Sequence, residues 1–407
     1  MTASPTGTAT ASHPAPGPTV LDALSLLSQV ADELGVRSVR DTHLAVTDRV
    51  HGLLDRVTGG TSAVPGAVHR GIASAVYGGL GTGLRAASTG LDRLAATGVG
   101  PRLEDDPRGR FVSSAVNGLI GDKLLRERPQ MAIPMAVRAG GRDVEPDAAG
   151  LRAAFPAATP RLVVLLHGLC ENEAYWQLHR ERTGTTYPEA LEALGWTPVL
   201  LRVNTGLGLR ENGVALTSLL QRVTEAWPVP VERVALVGHS MGGLVVRASG
   251  AVAAEPPPGA PASWTDWTSL VSDVVTLGTP HLGAPIAWGI GHGSRGLGLL
   301  PETAAFGRIL DWRSAGVHDL VAGLTDDVPP LPHARYHLVC ATLTAARRHP
   351  VGNLVGDLLV RPRSAYGTDR SGRRLFPDAD VLHVGGTDHF GLLNHPRVHE
   401  ALAQWLA

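Results

Sequence analysis

Arg233-Val-Ala-Leu-Val-Gly-His-Ser-Met-Gly-Gly-Leu-Val-Val-Arg247 is the stretch on which the fold turns. Val234 to Val237 form an apolar run with the composition of a buried strand, and Gly238-His-Ser-Met-Gly242 interrupts it. A helix-compatible segment follows from Gly243. A strand that turns so abruptly into a helix needs positions without a β-carbon, and Gly238 and Gly242 supply them. Ser240 is then presented at the tip as a nucleophile. The pentad alone discriminates poorly in a chain with 49 glycines among 407 residues, but no other serine has both flanking glycines. The strand before it and the helix after it supply the missing specificity.

Composition narrows the classes. Lys and Arg total 36 against 37 Asp and Glu, a net charge of -1, so no global field favours nucleic acid or an anionic membrane. Cys170 and Cys340 each follow an apolar run and are too few for a disulfide framework, which predicts a reduced, cytoplasmic protein. Residues 1–19 are rich in Thr, Pro, Ala and Ser without a basic start or apolar core, and are expected to be a disordered tail rather than a secretory signal. No apolar run has the length of a transmembrane helix.

Residues 20–105 read as a helical accessory region. Leu21, Leu24, Leu27, Val30, Ala31 and Leu34 form one stripe, and Val46, Val50, Leu53, Leu54 and Val57 a second. A third stretch, Ala67 to Ala96, is loosened by Gly79, Gly81 and Gly83. This region is expected to cover the catalytic domain. A peripheral membrane or lipid-granule contact is the alternative, although the polar faces lack the Lys and Arg excess of such anchors.

The charged, Pro- and Gly-containing segment from Pro101 to Gly109 marks a boundary, and residues 106–407 form the second unit. A leading antiparallel hairpin is expected at Met131 to Ala139 and beyond Gly141. Strands are expected at Arg161–Leu166, Thr197–Val203, Arg233–Val237, Asp273–Leu277, Arg335–Ala341 and Asp380–Val384. Helical stretches between them predict an α/β fold, a mostly parallel sheet with helices on both faces. Catalytic groups in such sheets sit beyond the carboxyl ends of the strands.

The strand Arg161–Leu166 ends in His167-Gly168-Leu169. Acyl transfer requires two amide donors aimed where the carbonyl oxygen becomes negative. Met241, after the nucleophile, provides one, and Leu169 the other, with Gly168 allowing the backbone to come close. His167, at a strand end, is read as a brace for the loop. The base and the acid follow the serine in chain order Ser, Asp, His. Among the later histidines, His281, His292, His333 and His349 lie in early loops, and His318, His337, His383 and His399 within helices or strands. His389, in Gly385-Gly-Thr-Asp-His-Phe after the last strand, is preferred over His395, which precedes Pro396. Asp357, after the strand Arg335–Ala341, is the candidate acid, since Asp388 is too close along the chain to His389.

His167-Gly-Leu-Cys-Glu-Asn, Asn204-Thr-Gly, Asn212-Gly, Gly238-His-Ser-Met-Gly-Gly, Thr276-Leu-Gly-Thr-Pro-His-Leu-Gly-Ala-Pro285, Arg313-Ser-Ala-Gly and His389-Phe-Gly-Leu-Leu together resemble the bacterial α/β-hydrolases grouped with triacylglycerol lipases and the GPI inositol-deacylase domain. The resemblance runs from about Phe111 to the C-terminus. It implies a Ser240, Asp357, His389 triad. The family segment around the acid usually reads Gly-Asp-Gly-Leu-Val-Pro, whereas here Leu358 replaces the glycine.

Residues 280–332 carry Trp288, Ile290, Leu297, Leu299, Leu300 and Phe306, and are expected to form an apolar lid over the elbow. The whole predicts a serine-dependent carboxylic ester hydrolase acting through an acyl-enzyme on a hydrophobic ester, with no metal or organic cofactor. A transacylase or thioesterase would use the same triad. The reading from another class is a non-catalytic scaffold whose N-terminal helices bind a membrane or a protein.

Overall fold

The computed structural model describes residues 17–36, 40, 44, 63–252, 265–284, 314–324, 328–347 and 349–407. The strands are β1 (Ala136–Ala139), β2 (Arg142–Val144), β3 (Arg161–Leu166), β4 (Thr197–Arg202), β5 (Arg233–His239), β6 (Val271–Leu277), β7 (Arg335–Thr342) and β8 (Asp380–Gly385). Among the described residues they form one sheet in the order β2-β1-β4-β3-β5-β6-β7-β8. β3 to β8 are all parallel, and β1 runs antiparallel to both β4 and β2.

Period-two alternation sends successive residues of a strand to opposite layers. Leu162, Val164 and Leu166 of β3 pack with α6 (Leu209–Ala226) through Leu216, Leu219 and Val223, and with Leu244 of α7 (Met241–Gly250). Val163 and Leu165 face the other layer, meeting Tyr187 and Leu191 of α5 (Tyr187–Ala193) and Val398 and Leu402 of α11 (Pro396–Trp405). Both faces of β3 are therefore covered, which is why the strand reads as an unbroken apolar run. This is the α/β-hydrolase fold.

The chain passes from β3 to β4 on one side and then to β5 on the other. Connections that leave in opposite directions open a crevice between the carboxyl ends of β3 and β5. The loops carrying Leu169 and Ser240 flank it.

The first helices are α1 (Val20–Val30), α2 (Ala63–Ala95), α3 (Pro107–Glu127) and α4 (Ala148–Ala154). The stripe expected to pack α1 is not the one that does. Leu24 and Leu27 are exposed, whereas Ser25 and Leu26 are buried. Ser25 Oγ lies 2.9 Å from Ser88 Oγ of α2, and Arg85 donates to Asp32 at 2.7 Å. Small and polar groups thus carry the α1–α2 contact, which apolar periodicity cannot reveal. Leu26 joins Ile120, Leu124 and Met131, and Arg128 donates to Gln29 and Asp92, so these helices rest on α3. The second stripe, Val46 to Val57, lies outside the described residues.

α3 carries a break in helical geometry at Ile120 (φ -142°) and lies over the loop after β3. A β-carbon on Gly118 would stand 2.4 Å from Cys170 Sγ. The remaining helices are α8 (Ala315–Ala322), α9 (Pro350–Val355) and α10 (Pro362–Ala365). The lid residues Trp288, Ile290, Leu297, Leu299, Leu300 and Phe306 lie outside the described residues. The C-terminal end of that segment is anchored in the core: Leu324, Val328 and Leu331 are buried, and Arg247 Nε of α7 donates to Val328 O at 2.9 Å.

Candidate active site

Ser240 stands between β5 and α7 with φ 52° and ψ -123°, a region L-residues rarely occupy. Its surroundings leave no room for relaxation. A β-carbon on Gly238 would lie 2.4 Å from Gly243 N, and one on Gly242 2.5 Å from Leu166 O. The elbow is pressed against itself and against the end of β3, which is why the pentad needs glycine at both places. Ser240 N donates to Leu277 O at 2.8 Å, tying the turn to β6.

The structure brings His389 and Asp357 together. His389 Nδ1 donates to Asp357 Oδ2 at 2.8 Å, and His389 N donates to Asp357 O at 3.0 Å. Facing a carboxylate, Nδ1 carries the ring hydrogen, which leaves Nε2 of the neutral ring as an acceptor. That atom is buried and has no hydrogen-bond partner among the described residues. The imidazole stacks obliquely on His239, 4.9 Å between centroids, and so lies beside the residue that precedes Ser240. Gly278 (φ 60°) lies against the ring: a β-carbon there would be 3.0 Å from His389 Cε1.

The acid is held from behind. Asp357 Oδ1 accepts from Leu359 N at 3.0 Å and Val360 N at 2.8 Å, and Asp357 N donates to Val360 O at 3.2 Å. This tight loop requires Leu358 at φ 84°. The leucine therefore occupies a backbone conformation suited to glycine and is also exposed. Leu358→Gly is expected to stabilise the protein by about 1 kcal/mol, strain relief exceeding the added chain entropy. Urea unfolding checks this, and a less stable variant would contradict it.

In the loop after β3, Gly168 N donates to Glu171 Oε2 at 2.7 Å, Cys170 N to Thr205 Oγ1 at 3.1 Å, and Glu171 N to Gly168 O at 3.2 Å. The amides of Leu169 and Met241 have no partner among the described residues. A β-carbon on Gly168 would stand 2.8 Å from Ser240 Cβ, so this loop touches Ser240. His167 braces it. Its Nε2 accepts from Val203 N at 3.1 Å, so Nδ1 bears the hydrogen and donates to Gly168 O at 2.9 Å. Burial holds its pKa below the ordinary imidazole value, keeping it neutral. Burial likewise pushes the Cys170 thiol up to about 11, leaving it an unreactive packing group.

Two neighbours escaped the sequence reading. Glu171 and His239, 68 positions apart, meet at 3.0 Å behind the elbow. Each lies in a quoted motif, Glu171 in His167-Gly-Leu-Cys-Glu-Asn and His239 in Gly238-His-Ser-Met, but nothing in the sequence pairs them. Among the described residues, no group of three or more His, Cys, Asp or Glu side chains is placed to hold a metal ion. No described helix is long and apolar enough to cross a membrane.

Residues 157–288 match the family described as "Putative serine esterase (DUF676)". The matched span contains β3 with its loop, the elbow and the whole Thr276 to Pro285 motif, and bears out the hydrolase resemblance drawn from those motifs. It supports an esterase-like hydrolase. Among solved structures, the mature Bacillus licheniformis lipase BlEst2 is 19% identical over 62% of this chain and 93% of its own, with a TM-score of 0.41. The Bacillus subtilis carboxylesterase CesB is 14% identical over 72% and 98%, with a TM-score of 0.36. The Pyrococcus furiosus esterase is 15% identical over 61% and 83%, with a TM-score of 0.34. No curated protein matches the chain.

Proposed function

We propose that the chain is a serine-dependent carboxylic ester hydrolase that works through an acyl-enzyme on a hydrophobic ester. What carries the reading is the His389–Asp357 pair at 2.8 Å, with an unpartnered, buried Nε2 beside the strained serine elbow. His389 Nε2 takes the Ser240 proton as Oγ attacks the ester carbonyl carbon. The carbonyl oxygen becomes negative and accepts from the Leu169 and Met241 amides, while Asp357 stabilises the imidazolium. Collapse of the adduct expels the alcohol, which leaves with the proton from Nε2. Water, deprotonated by the same nitrogen, then attacks the acyl-enzyme and releases the carboxylic acid and free Ser240.

We further propose a cytoplasmic location, a reading that the unpaired thiols of Cys170 and Cys340 support.

The test is a fluorescent fluorophosphonate probe applied to the wild type and to Ser240→Ala, followed by p-nitrophenyl esters of increasing chain length. Labelling and turnover should be present in the wild type and absent from the folded variant. A folded wild type that neither labels nor turns over, or a variant that does both, would overturn the proposal. The chain-length optimum would define the acyl group.

A further inference from the structure

We propose that Glu171 and His239 form a buried ion pair that positions the oxyanion loop and the histidine loop against Ser240. The proposal rests on the ester-hydrolase reading and adds two positioning residues to it.

Glu171 Oε2 accepts from Gly168 N at 2.7 Å and from His239 Nδ1 at 3.0 Å. One carboxylate thus holds the residue before Leu169 and the residue before Ser240. The opposite edge of the His239 ring faces another acceptor, with Nε2 3.4 Å from His389 O. A ring with an acceptor at each nitrogen satisfies both only as the imidazolium. The pair is sealed from solvent: the side chains are 4% and 0% exposed. Burial opposes both charges, and the mutual attraction outweighs it. The carboxyl is held below its ordinary value and the imidazole above its own. The titratable groups facing the pair are His167, Cys170 and Tyr175 around Glu171, and Asp357 and His389 beside His239.

The geometry gives the pair a role in chemistry rather than in substrate binding. The Gly168 and Cys170 amides are committed on either side of Leu169, so Glu171 is one of two anchors that set the direction of the Leu169 amide. Without it the Gly168 N–H loses its acceptor and the loop can rotate. A misdirected donor weakens stabilisation of the developing oxyanion and leaves ground-state affinity largely alone.

Glu171→Gln and His239→Gln preserve size and hydrogen-bonding capacity while removing one charge each. Each should lower kcat for p-nitrophenyl butyrate by about 10- to 100-fold, with KM within about twofold of the wild type. Fluorophosphonate labelling should slow in parallel. Combining the two substitutions should cost no more than the worse single, because the pair acts as a unit. Singles that match the wild type in kcat and labelling rate would overturn the proposal. If a single variant fails to fold because it buries an unpaired charge, the neutral double variant decides, and wild-type kcat in it would overturn the proposal equally. A folded wild type that is itself unlabelled and inactive would instead overturn the ester-hydrolase reading.

Discussion

Asp357→Asn is expected to lower kcat by about 10,000-fold with little change in thermal stability. The size of the effect follows from the two backbone donors behind the acid. Leu359 N and Val360 N both point at Oδ1, at 3.0 and 2.8 Å, so an asparagine must keep its oxygen on that side. Its amino group is then forced to face His389 Nδ1, where the aspartate had presented Oδ2 at 2.8 Å. Two donors cannot share that contact. His389 must turn Nδ1 into an acceptor, which places the ring hydrogen on Nε2 and removes the lone pair that would take the Ser240 proton. Geometry is preserved and the tautomer is wrong. Ester turnover measured beside a melting curve would check this, and a variant within tenfold of the wild type would remove Asp357 from its role.

The sheet was legible because its strands are buried on both faces. Arg161–Leu166 and Arg335–Ala341 stand out as apolar runs whose ends lie within a residue or so of the observed strands. The elbow was legible for a different reason: a β-carbon at Gly238 or Gly242 would overlap backbone atoms, so the glycines mark the turn. Chain order then reduced the histidines to those after β8. What could not be read were contacts closed between loops distant in sequence. Neither Glu171 nor His239 carries any pattern that announces the other, and Gly278 against the His389 ring is one glycine among many. Leu358 shows the converse. The departure from glycine was visible, but its backbone at φ 84° shows that the loop keeps a glycine-like bend with a leucine in it. The residues of the α1–α2 contact were not legible in the apolar stripes, because the Ser25–Ser88 and Asp32–Arg85 pairings do not follow apolar periodicity.

Ser240→Gly should abolish ester turnover and yet give a protein more stable than Ser240→Ala by about 1 kcal/mol. The backbone at φ 52° and ψ -123° is open to glycine and costs a residue with a β-carbon about 1–3 kcal/mol. Several contacts force that conformation on whatever residue stands there. Ser240 N donates to Leu277 O at 2.8 Å, Ser240 O accepts from Gly243 N at 3.2 Å, and Gly242 is wedged against the carbonyls that end β3. Alanine keeps the β-carbon and with it the strain, so Ser240→Ala should unfold close to the wild type. Glycine releases the strain and returns about 0.5–1 kcal/mol of it as extra freedom of the unfolded chain, which leaves a net gain. The comparison between two inactive variants therefore isolates the energy stored in the elbow from the chemistry of the hydroxyl. Urea unfolding of both, run side by side, measures it, and a glycine variant no more stable than the alanine one would mean that the turn holds the serine without strain. A gain would place Ser240 among the sites where stability has been exchanged for function: the sharp turn that presents Oγ is the same turn that a β-carbon resists.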